Sequence, residues 1–269
     1  MKFTTYKNKQ IAYSSEGKGT PIVLLHGFCE DSFVWNDYKQ EIIDAGYRVI
    51  CIDLPGFGES EVIEQISIAA NAEVVNTVLD ELDLTKIILI GHSMGGYTAL
   101  AFAEKYPHKL LGMGMFHSHP AADDPEKLEG RRRSIEVVRE KGAPLYVKQL
   151  IPGFFAEKFA RSNTFVVDKL IHRAARYQPE GIIAALEAMA NRPDRSEVLR
   201  QFKRPVLFII GKEDQAVPPE PSMAQTTMVE TASVLILEGV GHMGMFEATK
   251  QTQRAILKFA EFCVQLAND

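Results

Sequence analysis

The segment Gly91-His92-Ser93-Met94-Gly95-Gly96 has the residue types and spacing to do chemistry. An apolar run, Lys86–Ile90, precedes it and a stretch of helical period begins near Met94, so Ser93 falls on a strand-to-helix turn. Such a turn lifts a serine hydroxyl above the sheet edge. It is also tight, so the positions two before and two after must lack bulk, as Gly91 and Gly95 do. The helix that follows turns unpaired N–H groups toward the site, where they favour developing negative charge. The chemistry implied is nucleophilic attack by Ser93 on a carbonyl.

A serine hydroxyl needs a general base to be a nucleophile. His242 is the candidate, in Glu238-Gly239-Val240-Gly241-His242-Met243, just past the last apolar run, with glycines that let a loop place the ring over Ser93. An imidazole in that role is oriented by a carboxylate on Nδ1. Asp214 in Gly211-Lys212-Glu213-Asp214 follows the run Pro205–Ile210 and is the candidate acid; Glu213, Asp123 and Asp124 are other positions for it. Acyl transfer also needs donors for an oxyanion. The backbone N–H of Met94 is one candidate, and that of Phe28 in Leu25-His26-Gly27-Phe28 is the other. Gly27 lets that loop turn beneath a substrate and His26 braces it. His26, Gly27, His92 and His117 are the candidates to border a substrate from the sheet side.

The elements that must position these residues follow from apolar runs. Ile22–Leu25, Arg48–Ile52, Lys86–Ile90, Leu110–Phe116, Pro205–Ile210 and Ser233–Leu237 read as strands buried on both faces. Between them lie helical periods over Ser32–Ala45, Ile68–Leu82, Met94–Tyr106, Pro221–Glu230 and Gly244–Leu266. Phe3–Tyr6 and Ile11–Ser14 flank Asn8 and predict an edge hairpin. This alternation predicts an α/β fold with a doubly wound, mostly parallel sheet. It breaks between residues 121 and 200, where Pro125–Lys141, Ala143–Leu150, Asn163–Tyr177 and Pro179–Ala190 read as helices and no strand is found. That stretch holds 15 of the 30 Lys and Arg but 12 of the 35 Asp and Glu, so it is net +3 against −8 for the remainder. The expected organisation is a core of residues 1–120 and 201–269 with a helical lid, 121–200, inserted between two strands.

Leu25–Phe28, Asp53-Leu54-Pro55-Gly56-Phe57-Gly58-Glu59-Ser60, Gly91–Gly96, Gly211–Asp214 and Gly241-His242 together resemble the α/β-hydrolase superfamily, in particular its small lidded esterases, carboxylesterases and C–C hydrolases. The likeness covers nearly the whole chain except the lid. It implies an eight-stranded sheet, a Ser-His-Asp triad of Ser93, His242 and Asp214, and no cofactor. Asp53–Ser60 is similar to the family's turn after its fourth strand and is read as structural. Dehalogenases and epoxide hydrolases of this fold use a carboxylate nucleophile, whereas position 93 is serine.

The lid residues Leu145, Tyr146, Ile151, Phe154, Phe155, Phe159, Phe165 and Met189 predict packing onto the core, with some, Phe154 and Phe155 among them, lining an apolar pocket over Ser93. Arg131-Arg132-Arg133 is either a solvated helix face or a site for a carboxylate. His117-Ser118-His119 lacks a zinc-ligand spacing, so no metal is expected. Net charge −5 gives no sign of a nucleic-acid or anionic-membrane partner. No run of about 18 apolar residues predicts a membrane span. Cys29, Cys51 and Cys263 are odd in number and widely spaced, which fits a reducing compartment, and the N-terminus lacks a secretory pattern, so cytoplasmic location is expected.

The expected function is hydrolysis of a small-to-medium carboxylic ester or thioester with an apolar moiety, through an acyl-enzyme. C–C bond hydrolysis, acyl transfer on the same residues, and a non-enzymatic small-ligand receptor stay open, as does the oligomeric state.

Overall fold

The computed structural model describes residues 1–268. Eight strands form one sheet: β1 (Lys2–Tyr6), β2 (Lys9–Gly17), β3 (Pro21–Leu25), β4 (Arg48–Ile52), β5 (Ile87–His92), β6 (Leu110–Phe116), β7 (Val206–Gly211) and β8 (Ala232–Leu237). Their spatial order is β1-β2-β4-β3-β5-β6-β7-β8. The β1–β2 hairpin is antiparallel and β2 also runs antiparallel to β4, while every pair from β4 to β8 is parallel. The order reverses direction beside β3, and β5 emerges in the middle of the sheet, where strand ends commonly carry sites.

The helices are α1 (Lys39–Asp44), α2 (Ile68–Glu81), α3 (Met94–Lys105), α4 (Pro125–Leu150), α5 (Glu157–Ser162), α6 (Thr164–Ala174), α7 (Pro179–Ala190), α8 (Ser196–Gln201), α9 (Pro219–Ala224), α10 (Gly244–Glu247) and α11 (Thr249–Asn268). Helices α1 and α11 pack together, as do α2 and α3. Under this cover β5 and β7 are buried along their whole lengths, which is why their sequences read as unbroken apolar runs. Each fully buried Leu, Ile or Phe there is worth roughly 1.5–3 kcal/mol.

Three predicted helices are interrupted. Over Ser32–Ala45 the chain makes a 3-10 turn, Ser32–Trp35, before α1, because the Asp31 side chain caps the Phe33 N–H and Trp35 and Tyr38 both turn into the core. The Gly244–Leu266 period splits at Ala248, whose φ of −140° and ψ of 44° are not helical. Pro219 starts α9 earlier than expected, and Gln225–Met228 continues as a 3-10 turn.

Between β6 and β7 the chain is helical throughout, from α4 to α8. Helix α4 kinks at Gly142 (φ 79°), ahead of Pro144, which divides it where two helices were expected. Helices α6 and α7 pack on α4, whereas the short α8 packs on α3 of the core. One tie from this segment to the core is Asp31, whose Oδ2 accepts from Arg173 Nε at 2.5 Å and from the Tyr177 hydroxyl at 2.7 Å. Among the described residues no helix is long and apolar enough to cross a membrane.

Candidate active site

Ser93 sits at the end of β5 with φ 50° and ψ −114°, as the residue that caps α3. A non-glycine residue in that region costs of order 1–3 kcal/mol and persists only where its surroundings impose it. Here a Cβ on Gly91 would collide with the Gly95 carbonyl, and one on Gly95 would lie 2.7 Å from the Leu25 oxygen. The turn therefore closes only with glycine at both positions. The Ser93 N–H donates to the Phe116 carbonyl at 2.9 Å, and the Ser118 hydroxyl donates to the Ser93 carbonyl at 2.9 Å.

His242 lies on the loop between β8 and α10, and its Nδ1 is 2.8 Å from Asp214 Oδ2. Asp214, in the loop after β7, is buried. Its Oδ1 accepts from the N–H groups of Ala216 at 2.9 Å and Val217 at 2.8 Å. Burial opposes ionisation of Asp214, but the His242 charge and hydrogen bonds from His117 and His242 outweigh it and hold the carboxyl well below the usual range. A carboxylate so held fixes the proton of His242 on Nδ1 and leaves Nε2 free to act as a base.

His117 stands behind this pair. Its Nδ1 is 3.2 Å from Asp214 Oδ2, and the Gly211 N–H approaches the same nitrogen at 3.2 Å. Nδ1 thus lies between an acceptor, the Asp214 carboxylate, and a donor, the Gly211 N–H. Burial pushes the imidazole down to about 4, so it is neutral at pH 7. Among the described residues, His117, Asp214 and His242 are the group whose donor atoms could share a metal ion, lying within 4.8 Å of one another. Those atoms are committed to the hydrogen bonds just described, so an ion there would dismantle the Asp214–His242 pair.

The turn after β3 is organised by Glu30, whose Oε2 accepts the Gly27 N–H at 2.8 Å. The N–H groups of Phe28 and Met94 have no such acceptor among the described residues. His26 braces the next turn: its Nε2 accepts from Leu54 N–H at 2.9 Å, and Nδ1 lies 2.8 Å from the Gly27 carbonyl. In the same turn the Ser60 hydroxyl donates to the Asp53 carbonyl at 2.6 Å, and Asp53 accepts the N–H groups of Ser32 and Glu59, a structural arrangement.

Ser93 and His242 line one cavity of about 460 Å³. Its walls include Phe28, Tyr97, Tyr146, Leu150, Phe154, Leu186, Met189 and Val217, with Lys127, Arg131 and Ser134 contributed by α4. The Phe154 ring lies 5.4 Å from that of His242, and the Phe154 carbonyl accepts the His242 N–H at 2.7 Å. At the α4 end Asp123 pairs with Arg131, and with Arg192 at 2.7 Å. Lys127 has no ion-pair partner among the described residues. Three cations therefore gather about Asp123, with Asp124 a weaker negative neighbour of Lys127. Burial, then Arg192 and Lys127, push nearby His119 down to about 4.

A curated relative from Comamonas testosteroni, named 2-hydroxy-6-oxo-6-phenylhexa-2,4-dienoate hydrolase, is 30% identical, and the match covers 93% of this chain and 90% of that protein. The chain belongs to the α/β hydrolases. The model of the alpha/beta hydrolase fold matches residues 20–135 of this hydrolase. Its curated relative from Escherichia coli, a 2-hydroxy-6-oxononadienedioate/2-hydroxy-6-oxononatrienedioate hydrolase, is 27% identical over 94% of this chain and 91% of that protein. Among solved structures, a thermophilic esterase from Thermogutta terrifontis with malate bound superposes with TM-score 0.91 at 33% identity, covering 97% of each chain. An enol-lactonase from Burkholderia xenovorans LB400 shares the fold, with TM-score 0.89 at 19% identity over 97% of this chain and all of that one.

Against the sequence-based expectations, the hydrolase brings Ser93, His242, Phe28 and Phe154 to one cavity and sets Asp214 behind His242. The other expected lining residues are placed elsewhere. His26, Gly27 and His92 are committed to the hydrogen bonds that hold the turn after β3 and the His242 loop. His117 is behind Asp214, and Phe155 points away to stack on Phe159 at 5.4 Å. Asp124 caps α4 through the Lys127 N–H, and Glu213 is exposed, so neither reaches His242. Of the three arginines only Arg131 turns inward, while Arg132 and Arg133 are exposed.

Glu30 and Glu247 were missed from sequence. Glu247 Oε2 accepts the N–H groups of Gly241 and Ala156, both at 3.0 Å, and Oε1 accepts that of Met243 at 3.0 Å. The available signal was an acid close behind each glycine-rich loop, in Gly27-Phe28-Cys29-Glu30 and in Gly244-Met245-Phe246-Glu247.

Proposed function

We propose that this α/β hydrolase cleaves a small-to-medium carboxylic ester, or a related thioester, through an acyl group carried on Ser93. The observation that carries the reading is His242, held at Nδ1 by Asp214 at 2.8 Å while its ring faces the cavity that Ser93 also lines. Ser93 Oγ attacks the carbonyl carbon as His242 Nε2 takes its proton. The N–H groups of Phe28 and Met94 hold the oxyanion, and the proton passes to the leaving alcohol as the C–O bond breaks. Water then attacks the acyl carbon, giving its proton to Nε2, which returns it to Ser93 Oγ as the acid departs. Loss of one oxyanion donor in such a site costs about 10²–10³ in kcat.

The cavity supports a substrate with two unlike ends. Leu150, Phe154, Leu186, Met189 and Val217 suit an apolar group, and Lys127 with Arg131 suits an anion. The Thermogutta esterase was solved with malate bound, which fits an anionic subsite. Cytoplasmic location belongs to the same proposal, supported by three buried free cysteines.

C–C bond hydrolysis next to a carbonyl is a second reading, favoured by the names of the curated relatives, which act on oxo-dienoates. The discriminating experiment compares p-nitrophenyl esters with a vinylogous oxo-dienoate, in wild type and Ser93→Ala. Ester turnover that disappears in the variant supports the first reading, and turnover of the dienoate alone moves the proposal to the second. Equal rates in wild type and variant would contradict both.

A further inference from the structure

Glu30 and His92 are buried and lie outside both the cavity lining and the Ser93–His242–Asp214 set. His92 Nδ1 is 3.1 Å from Glu30 Oε2, and His92 Nε2 is 2.8 Å from the backbone carbonyl oxygen of His242. Glu30 Oε2 also receives the Gly27 N–H at 2.8 Å. Two side chains thus join three segments: the turn that carries Phe28, the strand end that carries Ser93, and the loop that carries His242.

The protonation of this bridge follows from its partners. A backbone carbonyl can only accept, so His92 Nε2 must carry a proton. The other nitrogen faces a carboxylate oxygen that already accepts the Gly27 N–H. A neutral imidazole would set a lone pair against it, whereas an imidazolium satisfies both contacts. The charged neighbours are Glu30 and, more distantly, Asp214. The other titratable groups around the pair are the rings of His242 at 4.7 Å and His117 at 6.0 Å, and the side chains of His26 and Cys29. Burial opposes charge on both partners, yet their mutual attraction and hydrogen bond raise His92 and lower Glu30. Buried ion pairs contribute little net stability, because desolvation offsets attraction. Their well-attested use is to fix one arrangement among several.

We infer that Glu30 and His92 form a carboxylate–imidazolium pair that positions the Phe28 N–H and the His242 loop about Ser93. The pair is a positioning device: it touches neither substrate nor reacting atoms. Its bearing on rate rests on the serine-hydrolase reading, whereas its charge state does not.

The test is histidine-ring ¹H–¹⁵N NMR at about pH 8, where an ordinary imidazole of pKa about 6.5 is neutral. Wild type is expected to show one ring protonated on both nitrogens, assigned to His92 by its loss in His92→Gln. In Glu30→Gln, an isosteric change that keeps an acceptor for Gly27, the ring becomes singly protonated and the Phe28 backbone amide resonance shifts. On an ester that wild type hydrolyses, Glu30→Gln lowers kcat roughly 10–100-fold with KM within about twofold, because oxyanion donors act in the transition state. His92→Gln costs less in the Glu30→Gln background than in wild type.

A His92 ring singly protonated in wild type, meaning that the proton rests on Glu30, would overturn the ion pair. An unmoved Phe28 amide or an unchanged kcat in Glu30→Gln would overturn the positioning role. If wild type hydrolyses no ester, the ester reading fails, while the ring and amide resonances still decide this inference.

Discussion

Glu247 accepts the Ala156 N–H at 3.0 Å and so joins the helical segment above the cavity to the loop that carries His242. The same carboxylate holds Gly241 and Met243, on either side of His242. Glu247→Ala leaves three backbone N–H groups without their acceptor, each worth about 1–3 kcal/mol where water cannot reach it. Thermal denaturation is expected to show Tm lower by at least about 6 °C. An unchanged Tm would mean that the loop is held by its backbone contacts alone.

Asp214 governs the acid side of stability. Its carboxyl is depressed in the folded chain, so its contribution is complete above the ordinary carboxylate value of about 3.9 and is lost as pH falls toward the folded value. In Asp214→Asn the dependence of unfolding free energy on pH below about 4 becomes shallower than in wild type. The same change sets His242 in the wrong tautomer and lowers kcat by about 10³–10⁴ with the fold retained. Denaturant titrations across pH, with kcat at neutral pH, check both parts.

Ser93 carries backbone strain at φ 50° and ψ −114°. Ser93→Gly relieves it and Ser93→Ala does not, although both remove the hydroxyl. The glycine variant is expected to be the more stable by about 1 kcal/mol, after its larger unfolded-state entropy is counted. Equal denaturation midpoints for the two would show that the turn is not strained.

Lys127 tests the anionic end of the cavity. Burial, then Arg192 and Arg131, lower its ammonium, and Asp123 works the other way. A bound carboxylate would relieve that repulsion. Lys127→Met is expected to lower kcat/KM for a p-nitrophenyl hemiglutarate roughly tenfold relative to the neutral valerate, a difference of about 1.4 kcal/mol. An equal loss on both esters would mean a packing role only.

What could be read in the sequence was what is local. Gly91 to Gly95 are confined by contacts within the turn and with the neighbouring Leu25 carbonyl, so spacing carried the information. The apolar runs of β3 to β7 carried the sheet because both of its faces are covered. What could not be read depends on distant partners. Glu30 meets a ring 62 positions away and Glu247 an N–H 91 positions away, and neither sits in a periodic pattern. Phe154 and Phe155 are adjacent, yet one faces His242 and the other Phe159, a choice made by the 3-10 turn Ile151–Phe154. The same holds for Arg131 beside Arg132, where only the face of α4 decides which is drawn to Asp123.

The most direct test of the central claim is to quench the reaction with a p-nitrophenyl ester in acid and locate the acyl group by peptide mass spectrometry. Catalysis through Ser93 predicts an acyl adduct on the Ser93 peptide of wild type that is absent in Ser93→Ala. An adduct on another residue, or sustained ester turnover by Ser93→Ala at the wild-type rate, would contradict it.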